Sequence, residues 1–302
     1  MAAWAVVRGF GLDRGFPAAP LIAFTPYAAQ VGLLAALITG MLGRRRPAVL
    51  IAISSAVLVV LVAPRAFPDD PPSPRPDGPE LRVMTANLLL GEADLEDLTD
   101  QVREGDVDLI SISELTPLAS ARLQTGELGE LLPNHVIDPI RGSAGTGLFS
   151  RFPLEELPAP GVEGNDLPTV AARITLPGTS AEVYSIHPVP PTNGENVAGI
   201  RRYFEAVPDA PEAGEPRLLL GDFNATLDND SLRDLLARGY VDAADAVGAG
   251  LVWTWRQSIH PPVAIDHVAV DERVEVLDLD AETLEGSDHR TLRAELRLPA
   301  GG

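Results

Sequence analysis

Leu218-Leu219-Leu220 runs straight into Gly221, Asp222 and Asn224. An apolar run this short, bounded by a turn former, reads as a strand buried on both faces, so the chain must lay structure against each side of a sheet. Gly221 allows a tight backbone exit, which leaves Asp222 and Asn224 at the strand's C-terminal end, the edge where α/β sheets keep their ligands. An ionised Asp gives oxygen to a hard cation, and Asn adds an acceptor and a donor without a second negative charge. The pair suits a phosphate bound beside Mg²⁺. Alone, an Asp-x-Asn is also an ordinary Asx turn, so its meaning depends on the other stretches.

Apolar residues make up 45% of the 302, ample for a core, but they are unevenly spread. Pro20 to Gly43 and Pro47 to Ala63 are almost uncharged and flank Arg44, Arg45 and Arg46. A membrane span needs about 20 residues, so the first segment is long enough and the second is at the short end. A buried helical hairpin or a signal sequence shares this pattern, but no small-residue cleavage site stands out. The expectation is a retained anchor over 1–66, with transmembrane segments at about 20–42 and 47–63. Arginines hold short loops on the cytoplasmic side, which places the rest of the chain outside a multi-pass cell-membrane anchor. Arg8 and Arg14 weigh against that orientation, and the apolar Met1 to Val7 could be the stub of another span.

Cys is absent, which removes disulfides and thiolate metal sites. All 23 basic residues are Arg; beyond residue 68 there are 17 of them against 42 acidic residues, a formal charge of −25. Such a surface repels polyanions and lacks the basic footprint of tight nucleic-acid binding, although metal cations could reverse this locally.

The Pro-rich stretch 67–80 reads as a stiff polar linker. From Leu81 short apolar runs alternate with amphipathic stretches. Leu81 to Asn87 reads as a strand ending in a carboxamide, Asp94 to Glu104 as a helix capped by Asp94, and Val107 to Leu115 as a strand with Glu114 at its end. Leu118 to Leu131 is expected to be a helix, and Asn134 to Ile140 and Gly145 to Pro153 strands. Thr169 to Leu176 and Ala181 to His187 form a hairpin around Pro177-Gly178, where Pro188, Pro190 and Pro191 stop the ladder and hold His187 in place. Glu195 to Val207 and Asp230 to Arg238 read as helices. Val263 to Val270 reads as a strand carrying Asp266 and His267 among apolar residues, where an Asp is costly unless paired. Gly286-Ser-Asp-His289 opens the last strand, Thr291 to Leu298.

The candidate site therefore comprises Asn87, Glu114, His187, Asp222, Asn224, Asp266, Asp288 and His289. An Asp266–His289 pair would fix the imidazole tautomer and leave its far nitrogen to take a proton from water. Glu114, with Asn87 and Asp288 near it, would hold Mg²⁺ through few protein ligands, several waters and a phosphate oxygen, with Mn²⁺ as a substitute.

In these stretches and in their order, the chain from about Leu81 to Leu298 resembles the endonuclease/exonuclease/phosphatase superfamily, the deoxyribonuclease I-like fold. Gly-Asp-Phe-Asn224 and Ser-Asp-His289 are the most specific motifs. The resemblance implies a four-layer α/β sandwich of two mixed sheets flanked by helices, with the catalytic domain over 81–299. It implies Glu114 as main metal ligand with Asn87 beside it and Asp288 near the metal. Asp222 and Asn224 would meet the phosphate and the attacking water, His187 would stabilise the pentavalent phosphate or assist the leaving group, and Asp266 would orient His289 as base. The base role falls to Asp222 or His289. A hairpin ahead of such a domain resembles bacterial membrane-tethered members.

The expected function is metal-dependent hydrolysis of a phosphoester by a tethered extracytoplasmic domain. The bilayer is the partner of the N-terminal helices, and no protein partner is inferred. A membrane-bound endonuclease and a non-catalytic tethered binding domain are the alternatives; charge disfavours the first. Met84, Trp253 and Trp255 read as packing residues, although the two Trp could line an apolar pocket.

Overall fold

The computed structural model describes residues 1–158, 170–257 and 259–301. Helices α1 (Ala2–Gly9), α2 (Ala18–Ile22), α3 (Thr25–Met41) and α4 (Arg45–Val62) come first. They are followed by β1 (Glu80–Asn87), α5 (Leu95–Glu104), β2 (Leu109–Ser113), α6 (Pro117–Thr125), α7 (Glu127–Leu131), β3 (Asn134–Asp138), β4 (Thr146–Ser150) and β5 (Leu154–Leu157). The second half holds β6 (Val170–Leu176), β7 (Thr179–Ile186), α8 (Gly194–Ala206), β8 (Arg217–Asp222), α9 (Asp230–Leu236), β9 (Tyr240–Asp242), α10 (Ala243–Ala246), β10 (Asp266–Asp271), β11 (Glu275–Thr283) and β12 (Arg290–Arg297).

The strands form two six-stranded sheets, ordered β11-β12-β1-β2-β4-β3 and β5-β6-β7-β8-β10-β9. Both are mixed: β1 with β2 and β7 with β8 are the parallel pairs, each surrounded by antiparallel neighbours. Period two sorts the apolar side chains into three layers. Val83, Leu109, Val183, Leu218, Leu220 and Val268 meet between the sheets. Met84 and Ile110 turn outward onto Leu98, Val102 and Leu123 of α5 and α6. Tyr184 and Leu219 turn outward onto Ile200, Tyr203 and Phe204 of α8 and Leu232 of α9. Two mixed sheets between two helical layers is the arrangement expected from the sequence.

Element ends follow local chemistry. Asp94 caps α5 by accepting from the backbone N–H groups of Glu96 and Asp97. The helix expected over 118–131 breaks at Gly126, which is extended (φ −92°, ψ −172°), so α6 and α7 are separate. The hairpin of β6 and β7 turns where Leu176 pairs with Thr179; Thr169, its expected first residue, lies outside the described residues. The strand expected from Val263 starts only at Asp266, because Val263 bridges Trp255 instead.

The N-terminal apolar segments also depart from expectation. The first is split into α2 and a 17-residue α3, with Pro26 at the start of α3 where a missing N–H is harmless. Among the described residues, Arg45–Ala66 alone, 22 residues, is long and apolar enough to cross a membrane. The order of lengths read from sequence is thus reversed. α3 and α4 pack together as a hairpin with Arg44 to Arg46 exposed at its turn.

At its other end the hairpin joins the two-sheet body. Arg8 and Arg65 both donate to Asp228, Asp13 accepts from the Asp230 N–H, and Tyr27 Oη donates to the Pro262 carbonyl at 2.6 Å. The segment 67–80, read as a spacer, lies along the body: Pro68 bridges Val247, and the Gly78 N–H donates to the Leu298 carbonyl.

Candidate active site

The site is the polar end of the inner layer. Along β1 the inward residues run Val83, Thr85, Asn87; along β2, Leu109, Ser111, Ser113; along β7, Val183 and Ser185, with His187 just beyond; along β8, Leu218, Leu220, Asp222. β1 and β7 pass from aliphatic through a small hydroxyl to a site residue, β2 passes from aliphatic to serines just ahead of Glu114, and β8 passes from leucines directly to Asp222. Across the layer Ser111 Oγ lies 2.8 Å from Ser185 Oγ, and Thr146 Oγ1 bonds the same Ser185 hydroxyl. Antiparallel β10 brings Asp266 directly opposite Asp222.

All eight candidate residues are linked by contacts of 3.9 Å or less. Asn87 Nδ2 donates to Asp222 Oδ2 at 3.1 Å and to Glu114 Oε1 at 3.3 Å. Asp222 Oδ2 lies 3.8 Å from His187 Nε2 and 3.8 Å from His289 Nε2, while His289 Nδ1 is 2.9 Å from Asp266 Oδ2. His289 Nε2 is 3.9 Å from Asp288 Oδ1. The Asn224 N–H donates to Asp222 Oδ1 at 2.8 Å, and its amide donates to the Pro188 carbonyl at 2.9 Å.

Backbone strain accompanies this convergence. Glu114 (φ 58°) and Asn224 (φ 49°) are left-handed, a conformation that costs non-glycine residues about 1–3 kcal/mol and clusters at functional sites. Glycine is required at 221, where φ is 147° and a Cβ would sit 2.1 Å from the Ile186 carbonyl oxygen of β7.

Burial sets the electrostatics. His187 is pushed down to about 4 by burial and by the nearby His289, so it is neutral at pH 7. Asp222 is pushed up to about 7 by burial and then by Asp266. Burial would lower His289, but the Asp266 and Asp222 charges outweigh it and hold the imidazole at about 9. A carboxyl raised and an imidazole raised in contact make a proton-holding pair.

Several supporting contacts were not read from the sequence, although Ser287 lies within the Ser-Asp-His289 motif. The His187 N–H donates to Tyr203 Oη at 3.3 Å, Ser287 Oγ donates to the Asn87 carbonyl at 2.8 Å, and Thr254 Oγ1 accepts from the Asp266 N–H at 3.0 Å. Trp255, read as packing, donates through Nε1 to Asp288 Oδ2 at 2.9 Å. His267, adjacent to Asp266, points to the opposite face, where Asp242 Oδ2 and the Ala225 carbonyl hold its two nitrogens.

The sequence profile of the Endonuclease/Exonuclease/phosphatase family matches residues 84–289. The chain belongs to the endonuclease/exonuclease/phosphatase family. Solved structures with this fold include an endonuclease/exonuclease/phosphatase from Beutenbergia cavernae (19% identity, TM-score 0.59, covering 74% of this chain and 72% of that one). TDP2 from D. rerio, complexed with a single-strand DNA product, is 16% identical with a TM-score of 0.59, over 72% of this chain and 98% of that one. Sphingomyelinase C from Streptomyces griseocarneus is 15% identical with a TM-score of 0.50, over 72% and 99%. No curated protein matches the sequence significantly.

Endonuclease/exonuclease/phosphatase family members are phosphoester hydrolases and typically depend on a divalent metal. The donor set here fits such an ion. Asp288 Oδ1 is buried with no hydrogen-bond partner among the described residues, and the half-buried Glu114 carries two further hard oxygens, one accepting from Asn87 Nδ2 and the other from the Leu90 N–H at 2.6 Å. Asp222, Asp266 and His289 also bring ligand atoms within 4.8 Å of one another. In that cluster His289 Nδ1 is engaged by Asp266, and a cation at either ring nitrogen would have to displace a proton of the imidazolium.

Proposed function

We propose that this member of the family is a membrane-tethered, Mg²⁺-dependent phosphoester hydrolase, with Mn²⁺ as a substitute and the catalytic body, 81–299, outside the cell membrane. The observation that carries the catalytic reading is the line Asp266–His289–Asp222, with Glu114 joined to Asp222 through one amide. The tether reading is supported by the apolar α3–α4 hairpin with its exposed triple Arg.

Glu114, Asn87 and Asp288 would hold the cation. When bound, it neutralises charge on the phosphate and on the leaving oxygen. Asp222, raised by burial to about 7, takes the proton of the attacking water, and His289, held as the imidazolium by Asp266, stabilises that carboxyl and supplies a proton to the leaving oxygen. Water's oxygen bonds to phosphorus in line with the P–O bond that breaks. His187, neutral at pH 7, meets the pentavalent phosphate as a hydrogen-bond partner without adding charge. Asn224, pinned by Pro188 and Asp222, orients the water or a phosphate oxygen.

The test uses the purified full chain in detergent with bis(p-nitrophenyl) phosphate. Hydrolysis is expected to require Mg²⁺ or Mn²⁺. Glu114→Gln and His289→Ala are each expected to lower kcat by about 10²–10³ with the fold retained in circular dichroism, the scale of losing one preorganised electrostatic contact; His289→Ala should also lower the melting temperature, because it strands the buried Asp266. Full activity in excess EDTA, or variants within threefold of the parent, would refute the reading.

A further inference from the structure

The hairpin is not attached at an arbitrary face. Two loops wall the site, and each reaches the body-proximal end of the helices. The loop after β8 begins with Asp222 and Asn224 and ends at Asp228, which Arg8 and Arg65 grip, with the Asn229 amide donating to the Ala19 carbonyl at 2.8 Å. The described residues of 247–257 and 259–265 behave alike. Trp255 bonds Asp288 and bridges His289, while Pro262 accepts from Tyr27, the His260 ring lies tilted against Phe24 (ring centroids 6.2 Å apart), and the Gly250 N–H donates to the Arg65 carbonyl. Phe24 precedes α3 and Arg65 follows α4, so both contacts lie at the end of the hairpin opposite the triple Arg.

Exposed apolar side chains lie on both sides of that junction. Val31, Leu34, Leu37, Leu50, Ile53 and Val60 are exposed along the two helices, a concentration of large apolar side chains that soluble surfaces avoid. On the second loop Leu251 is 47% and Ile259 79% exposed. Between α3 and this loop lies a cavity of about 150 Å³ lined by Tyr27, Gln30, Leu251, Trp253, Pro262 and Val263. The guanidinium of Arg290, next in sequence to His289, sits 3.7 Å from the Trp253 ring centroid.

We infer that the mouth of the site is held at the bilayer surface and that its substrate is the phosphodiester of a membrane phospholipid headgroup. This rests on the hydrolase and tether readings above. A site one loop away from the emerging helices meets phosphates already confined to the interface, and Leu251 and Ile259 seat the loop among the outer acyl chains. The acidic body does not need to attract an anionic substrate through solution, because the helices fix its position. In the reaction one P–O ester bond of the lipid breaks, water's oxygen joins phosphorus, and water's proton passes through the His289–Asp222 pair to the departing alcohol.

The full chain, reconstituted into vesicles of phosphatidylethanolamine and phosphatidylglycerol with Mg²⁺, is assayed on those lipids, on their deacylated glycerophosphodiesters and on bis(p-nitrophenyl) phosphate. Lipid turnover at least about tenfold faster than that of the deacylated diesters is expected. Leu251→Asp with Ile259→Asp should lower lipid turnover about tenfold and leave bis(p-nitrophenyl) phosphate hydrolysis within twofold. Because the chain has no Cys, Ile259→Cys accepts a single environment-sensitive fluorophore, whose emission should shift blue on reconstitution. Equal turnover of lipid and deacylated diester, or an unshifted probe, overturns the inference while leaving the hydrolase reading intact. Failure to hydrolyse even bis(p-nitrophenyl) phosphate overturns both.

Discussion

Asp228→Ala is expected to be among the most damaging substitutions outside the site. The Asp228 side chain is 1% exposed, and those of Arg8 and Arg65 are 8% exposed each. Arg8 Nε lies 2.5 Å from Oδ1, and Arg65 places Nη2 2.8 Å from Oδ1 and Nη1 2.9 Å from Oδ2. Truncation leaves two guanidinium groups buried without a counter-charge, and stranding one partner of a buried pair costs about 3–5 kcal/mol. The Leu227 carbonyl still accepts from both Arg, which favours the lower end. At about 2–4 °C per kcal/mol for a domain of this size, Tm should fall by about 6–20 °C, measured by near-UV circular dichroism in detergent. If the loss arises from stranded charge, the triple variant Arg8→Met, Arg65→Met, Asp228→Leu should recover most of it, since apolar replacement of a buried ionic group is often neutral. A Tm within about 2 °C of the parent for Asp228→Ala, or a triple variant no better than the single one, would refute the reasoning.

Gly221→Ala should cost more than about 3 kcal/mol in denaturant melts, because its Cβ meets the Ile186 carbonyl at 2.1 Å and the φ of 147° disfavours it. Asp245 is pushed up to about 6 by burial and then by Asp242. A carboxyl raised in the folded state contributes stability that is complete below its ordinary value of 3.8 and lost as pH rises through 6, so Asp245→Asn should be more stable than the parent at pH 8, with the gap closing below pH 4. At about 1.4 kcal/mol per pKa unit, discounted for partial exposure, the gain is about 1–2 kcal/mol. In the metal-free protein the His289 imidazole should titrate near 9 by NMR, and Asp266→Asn should bring it down by at least about one unit; an unmoved value would mean Asp266 is not what sustains it.

Much of this geometry was legible because it depends on alternation along strands. Val83 and Asn87 are four apart and so share a face, as do Leu218 and Asp222, which is why strand-end polar residues read from sequence converge on one rim. The His267 side chain faces away for the same reason, one position past Asp266. Contacts supplied by other elements had no such periodicity. Tyr203 reaches His187 from α8, and Trp255 reaches Asp288 from an irregular loop, so neither spacing nor composition marks them. β9, three residues long, and β11, an edge strand whose Glu275 and Asp280 pair with Arg297 and Arg293, lack the apolar density that flags a strand. The grip of Arg8 and Arg65 on Asp228 joins residues more than 160 positions apart and is invisible locally.

The hydroxyl tier between the sheets has a bearing on how the site tolerates its own charges. Ser111 and Thr146 both bond the Ser185 hydroxyl, while the buried hydroxyls of Thr85 and Ser113 have no partner among the described residues. Rotatable dipoles set beneath Asp222 and Asp266 can reorient as the proton inventory above them changes, a local polarisability that a purely aliphatic floor lacks. The aliphatic interior then borders alcohols rather than ions, and catalytic charge can fluctuate during turnover without loosening the packing that keeps the two sheets together.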